Sequence, residues 1–133
     1  MSQSKQAQIQ SDLDIVTARS MAREIAKSQG FGAIDQARIA TAVGELARNI
    51  FIYAKAGEVT IRGVDRGGQR GIEIVCADHG PGIENIELAM QDGYSTSGGL
   101  GMGIPGARRL MNEFDIQSRP GAGTTVTCRK WIQ

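Results

Sequence analysis

Four stretches of this 133-residue chain carry side chains able to do chemistry. Glu45 and Asn49 stand four apart in Glu45-Leu46-Ala47-Arg48-Asn49, a spacing that puts a carboxylate and an amide side by side on one helix face. At the rim of a cleft the carboxylate can take a proton from an attacking hydroxyl, and the amide oxygen can hold a hard cation. Taken alone, the pair also reads as a solvated polar edge. Asp78-His79-Gly80-Pro81-Gly82 follows an apolar stretch, so an acid at a strand end meets glycines that let the backbone bend. Such an acid can accept a hydrogen bond from an amino group like that of adenine, although the stretch by itself is a turn.

The third stretch is Ser95-Thr96-Ser97-Gly98-Gly99-Leu100-Gly101-Met102-Gly103, running into Ile104-Pro105. Glycines free backbone amides to face phosphate oxygens, and a helix start at Pro105 adds positive potential. It lacks the G-x-x-x-x-G-K-[ST] pattern and follows no strand of a βαβ unit, so neither a P-loop nor a dinucleotide fingerprint fits. A phosphate lid remains. The fourth, Gly121-Ala122-Gly123-Thr124-Thr125, is by itself a hairpin loop.

These stretches need elements to hold them. Residues 5–10 suit a short edge strand. Ser11-Asp12 then offers an N-cap before Ile15, Ala18, Ala22, Ile25 and Ala26, one helical stripe closed by Gly30. A second helix is expected from about Asp35 to Tyr53, with Ile39, Ala42, Val43, Leu46 and Ile50 on one face. The period then changes to two: Val59 and Ile61, and Ile72, Ile74 and Cys76, alternate with polar neighbours around a loop at 65–70, which reads as an antiparallel hairpin. A short helix at 83–91, a loop at 92–103 and a helix carrying Ala107, Leu110, Met111 and Phe114 follow. Strands near 115–118 and 124–131 close the chain. Helices first, then hairpin, helix and hairpin, suit an α+β fold whose mixed, mostly antiparallel sheet carries its helices on one face.

Composition narrows the function classes. Hydrophobic residues make up 41% and charged ones 22%, as in a folding globular chain, and the length suits one domain spanning 1–133. Fifteen basic residues against 14 acidic ones leave a net charge of +1, without the basic excess that nucleic-acid binding needs. No apolar run approaches the roughly 20 residues of a membrane span, and the start MSQSKQAQIQ has no signal-peptide core. A cytoplasmic protein with no membrane partner is expected. Cys76 and Cys128 belong to no C-x-x-C pair, so two buried free thiols are expected rather than a disulfide.

Together, in this order, the four stretches resemble the N, G1, G2 and G3 boxes of the GHKL (Bergerat-fold) ATPase superfamily. Within it the likeness is to the small serine-protein kinases of the anti-sigma-factor switch group, in particular the RsbT type of the stressosome. DQARIATAVGELARNI, DHGPGI and GYSTSGGLGMGIPGARRLMNEF carry it, and it runs from about Asp14 to Trp131. The resemblance implies a two-layer Bergerat sandwich that binds ATP and Mg²⁺. It implies that Asn49 holds the metal, that Glu45 is the catalytic base or polariser, and that Asp78 receives the adenine amino group. Gly80 and Gly82 would leave room for the nucleotide, Ser97, Gly98, Gly99, Leu100, Gly101, Met102 and Gly103 would wrap the phosphates, and the Thr124 hydroxyl would support the adenine. Arg108 and Arg109, placed in the first turn after the lid, would neutralise phosphate.

The same resemblance implies an activity: phosphorylation of serine or threonine on STAS-domain partners, followed by binding and activation of a PP2C-type phosphatase. His79, the sole histidine, reads as a loop residue rather than a phosphoacceptor. The second reading is an ATP-gated binding module that grips a sigma factor or a phosphatase and has little kinase activity. A stand-alone ATPase of the larger GHKL kind would need transducer domains beyond this length.

Overall fold

The computed structural model describes residues 3–80 and 103–133. Its elements are β1 (Ser4–Ile9), α1 (Asp12–Gln29), α2 (Ala33–Asn49), a π-helical turn (Ile50–Ala54), β2 (Gly57–Arg66), β3 (Gln69–Asp78), α3 (Gly103–Leu110), β4 (Glu113–Arg119) and β5 (Gly123–Trp131). The five strands form one sheet in the order β1-β2-β3-β5-β4. Each of its four pairings is antiparallel, so the expected mixed sheet is antiparallel throughout the described residues.

Local signals explain the first helix. Ser11 accepts a hydrogen bond from the Asp14 amide at 3.3 Å, Asp12 and Asp14 stand in the positive first turn, and Gly30 ends the helix at φ 103°. The stripe Ala18, Ala22, Ile25 and Ala26 is fully buried. It packs with Ile39, Val43 and Leu46 of α2 against Ile9, Val59, Ile61, Ile72, Ile74 and Cys128 of the sheet. Cys76 and Cys128 are buried free thiols in that layer; burial pushes the Cys128 thiol up to about 12.

Three boundaries differ from the expectation. The second helix starts at Ala33 and its α-helical ladder stops at Asn49, giving way to the π-turn and to Lys55 at φ 70°. Apolar spacing cannot reveal this, because a π-turn keeps the chain coiled and changes only which carbonyl each amide meets. The first hairpin closes on Gly67 and Gly68 alone, both at positive φ, with Arg66 paired to Gln69. Asp65 accepts from the Gly68 amide at 2.9 Å, so the tight turn needs no six-residue loop.

The last helix ends at Leu110, which leaves Met111 beyond it and puts Phe114 in β4. Asn112 is the cause. Its amide donates to the Arg129 carbonyl at 2.9 Å, and its side chain accepts from the Trp131 amide at 2.7 Å. These two bonds tie the turn to β5. The expected helix at 83–91 and most of the loop at 92–103 lie outside the described residues.

The sheet face away from the helices carries a charge ladder. Glu73, only 6% exposed, accepts from Arg62 at 2.7 Å and from Arg129 at 2.8 Å. Arg129 also meets Glu113 at 3.1 Å, and Glu113 accepts from the Trp131 indole at 2.7 Å. Burial pushes the Glu73 carboxyl up, but the hydrogen bonds and charges of the two arginines outweigh it and hold the group below the usual carboxylate range. A folded value below the unfolded one gives stability that is present above the unfolded pKa and lost as pH falls through the folded one. Thermal melts should therefore show a falling midpoint below the ordinary value of 4.5. Glu73→Gln, which cannot titrate, should flatten part of that fall.

Candidate functional site

The site is built where three strands and the end of α2 meet. Asp78 closes β3, registered opposite Gly57 of β2 and Thr124 of β5. Its Oδ1 accepts from the Gly80 amide at 2.9 Å and from the Thr124 amide at 3.3 Å. Two donors on one oxygen fix the carboxylate, and among the described residues Oδ2 has no hydrogen-bond partner.

Glycines from three segments pack against Asp78 and its neighbours. A Cβ on Gly80 would stand 2.5 Å from the Ala54 Cβ, and one on Gly57 would stand 2.5 Å from the Ala77 carbonyl and 2.7 Å from Ile50. At Gly123, where φ is 87°, a Cβ would overlap the Asp78 carbonyl oxygen. The π-turn thus has a structural role: Ile50 and Ala54 are the residues that touch Gly57 and Gly80, so the end of α2 is seated against the Asp78 pocket. Asn49 immediately precedes this turn, and Glu45 lies one helical turn earlier, both half-buried.

Glu45 also lines a groove between α1 and α2 with Asp12, Ile15, Arg19, Thr41, Gly44 and Arg48. The carboxylate is therefore reachable from outside the Asp78 pocket. Among the described residues no cluster of three His, Cys, Asp or Glu side chains could hold a metal. A cation beside Asn49 would rely on that amide and on ligand oxygens, the mode Mg²⁺ uses with nucleotides.

The Thr124 hydroxyl, expected to support the adenine, lies 2.8 Å from the Ser118 hydroxyl, and Ser118 donates to the Gly123 carbonyl at 3.1 Å. The Thr124 amide is what reaches Asp78. Arg108 and Arg109 do not occupy the first turn of α3; both are exposed in its last turn. Arg108 is five residues past the helix start, about 7.5 Å along the axis, and a cation there complements the negative end of the helix. His79 is exposed. Gly82, Ser97, Gly98, Gly99, Leu100, Gly101 and Met102 lie outside the described residues, and Gly103 is the first residue of α3.

Sequence reasoning missed Gly57, Gly123, Ala54 and Ser118 as parts of the site. Gly123 carried a signal, the Gly121-Ala122-Gly123 run before Thr124. For Ala54 there was none, because its contact with Gly80 joins segments far apart in the chain.

Residues 9–130 match the histidine kinase-like ATPase domain. The chain belongs to that family. The GHKL resemblance drawn from the four motifs is thereby borne out, as is the α+β sandwich with its helices on one face. The ATPase domain is 50% identical over 125 residues to the serine/threonine-protein kinase RsbT of Bacillus subtilis (strain 168), covering 94% of each chain. It is 38% identical over 102 residues to an anti-sigma F factor of Thermoanaerobacter sp. (strain X514), covering 72% of this chain and 70% of that one.

Solved structures share the fold at low identity. The RsbU and RsbW domains of a Mycobacterium tuberculosis protein superpose with TM-score 0.62 at 19% identity, over 98% of this chain and 32% of that longer one. The mycobacterial sensor histidine kinase MprB gives TM-score 0.58 at 14% identity, over 96% of both. ATP use follows from the family. No described helix is long and apolar enough to cross a membrane.

Proposed function

We propose that this serine/threonine-protein kinase acts in the cytoplasm, uses Mg·ATP to phosphorylate STAS-domain partners in a stressosome-type partner switch, and then binds and activates a PP2C-type phosphatase. The observation that carries the reading is the Asp78 carboxylate, held by the Gly80 and Thr124 amides inside a cradle of glycines. It stands on a chain half identical to RsbT along nearly its whole length. The glycines let Ala54, Ile50 and the Ala77 and Asp78 carbonyls pack closely around this strand end, and a fixed carboxylate oxygen suits the amino group of adenine.

In this reading the chain positions its reactants and stabilises charge, since phosphoryl transfer asks for little covalent help. Asn49 would hold Mg²⁺ against the phosphates. Glu45, one turn away, would take the proton of the acceptor hydroxyl. Thr124 would act through its amide on Asp78, and its hydroxyl, held by Ser118, would support the adenine.

The 38% identity to an anti-sigma F factor favours a second reading, an ATP-gated binding module with little transfer. Incubation with γ-labelled ATP and a purified STAS-domain protein separates the two. Label on serine or threonine of that protein is the expected result; a stable ATP-dependent complex without label would favour the binding module.

A further inference from the structure

We propose that Ser118 is a positioning residue for nucleotide selectivity: it turns the Thr124 hydroxyl so that the pocket meets the edge of the base with hydrogen-bond acceptors alone. This rests on the adenine reading of Asp78 given above. The strand registers set Gly57, Asp78, Thr124 and Ser118 in one row across β2, β3, β5 and β4. Side chains opposite one another in antiparallel pairs stand on the same face of the sheet. Here it is the face that carries the helices, since Val126 and Cys128 follow Thr124 at steps of two and are buried in the core.

The polarity of that row follows from its hydrogens. A serine or threonine hydroxyl has one hydrogen and two lone pairs, and a carbonyl oxygen only accepts. The Ser118 hydroxyl lies 3.1 Å from the Gly123 carbonyl and 2.8 Å from the Thr124 hydroxyl. Its one hydrogen goes to the carbonyl, so the second contact is made by the Thr124 hydrogen pointing at the Ser118 oxygen. Only that assignment satisfies both contacts. Gly123 holds the carbonyl in place, because at φ 87° it passes so close to Asp78 that a Cβ would overlap the Asp78 carbonyl oxygen. The Gly80 and Thr124 amides are spent on Asp78 Oδ1. What the row has left to offer is Oδ2 of Asp78, without a partner among the described residues, and the lone pairs of Thr124.

Acceptors side by side suit the 6-amino group of adenine, which only donates. A purine with a carbonyl at that position would bring an acceptor against acceptors and lose a hydrogen bond it makes in water. Asp78 alone does not enforce this. A threonine hydroxyl free to rotate could swing its hydrogen toward the carbonyl and accept the wrong base. Ser118 removes that freedom, so the selectivity of the pocket depends on a residue that need not touch the nucleotide.

The test titrates Mg·ATP and Mg·ITP into the full chain by calorimetry, because the two bases differ at the 6-position and the adjoining ring proton. The unaltered chain should prefer ATP. In Ser118→Ala that preference should fall about tenfold, through tighter ITP binding, while ATP affinity stays within about threefold. Ser118→Thr keeps a hydroxyl in the strand and should keep the preference. On a Thr124→Val background, Ser118→Ala should change the ratio by less than about twofold, since no hydroxyl is left to turn. A serine that merely clips the last hairpin would lower the melting temperature on removal and leave the ratio of the two affinities alone.

An unchanged ratio in Ser118→Ala would overturn the proposal, as would an equal effect of that substitution with and without the Thr124 hydroxyl. If Asp78→Asn loses ATP affinity in the same experiment while Ser118→Ala leaves the ratio alone, the adenine reading stands and the role of Ser118 falls. Equal binding of ATP and ITP by the unaltered chain would overturn both.

Discussion

Glu45→Gln should bind Mg·ATP as the unaltered chain does and transfer phosphate to its partner about 10²-fold more slowly. Glutamine keeps the size and the half-buried place on α2 but cannot accept the hydroxyl proton. The general-base contribution spans roughly 10²–10⁴-fold. Phosphoryl transfer passes through a loose transition state in which the nucleophile is little bonded, so the lower end is expected. Asn49→Ala makes the contrast. Asn49 ends α2 against the π-turn that seats the Asp78 pocket, and a metal ligand lost there would loosen the nucleotide and slow transfer together. Calorimetry with Mg·ATP, paired with single-turnover transfer, separates the two variants. Transfer by Glu45→Gln at the normal rate would remove the proton-accepting role and leave the nucleotide pocket untouched.

The parts of this structure that could be read in advance are those whose cause is local. Ser11 and Gly30 mark the ends of α1 because a cap acts within one turn. Glu45 and Asn49 share a face because helical spacing alone dictates it. Phe114 went to the wrong element for the opposite reason. Its spacing from Leu110 is helical, and only the long-range grip of Asn112 on Arg129 and Trp131 starts a strand instead. The pocket follows the same division. Asp78 and Gly80 stood out within one short motif. Their neighbours Ala54 and Gly57, and Ser118 beside Thr124, come from other segments and carry no mark until the sheet registers them. The Ser118 partner of the Thr124 hydroxyl, six residues earlier, faces it across the last hairpin and carried no such mark.

That pocket geometry sharpens what Asp78→Asn should do. The two amides of Gly80 and Thr124 both point at Oδ1. An asparagine would therefore turn its carbonyl oxygen toward them and keep both bonds, with the backbone at Gly80 and Gly123 undisturbed. Its NH₂ would then occupy the place of Oδ2. A donor would face the adenine amino group, itself a donor, and one of them would lose its hydrogen bond in a cramped, partly buried site. Affinity for ATP should fall by about 1–3 kcal/mol, or roughly 5- to 150-fold. The melting temperature without nucleotide should hold close to that of the unaltered chain, because the orienting bonds survive. A nucleoside triphosphate whose base offers a carbonyl where adenine offers an amine, such as GTP, should lose less affinity than ATP does, or gain some, since the new amide can donate to it. Calorimetric titration of both nucleotides into both proteins reads this directly. Equal ATP affinity in Asp78→Asn and the unaltered chain would take Asp78 out of the site.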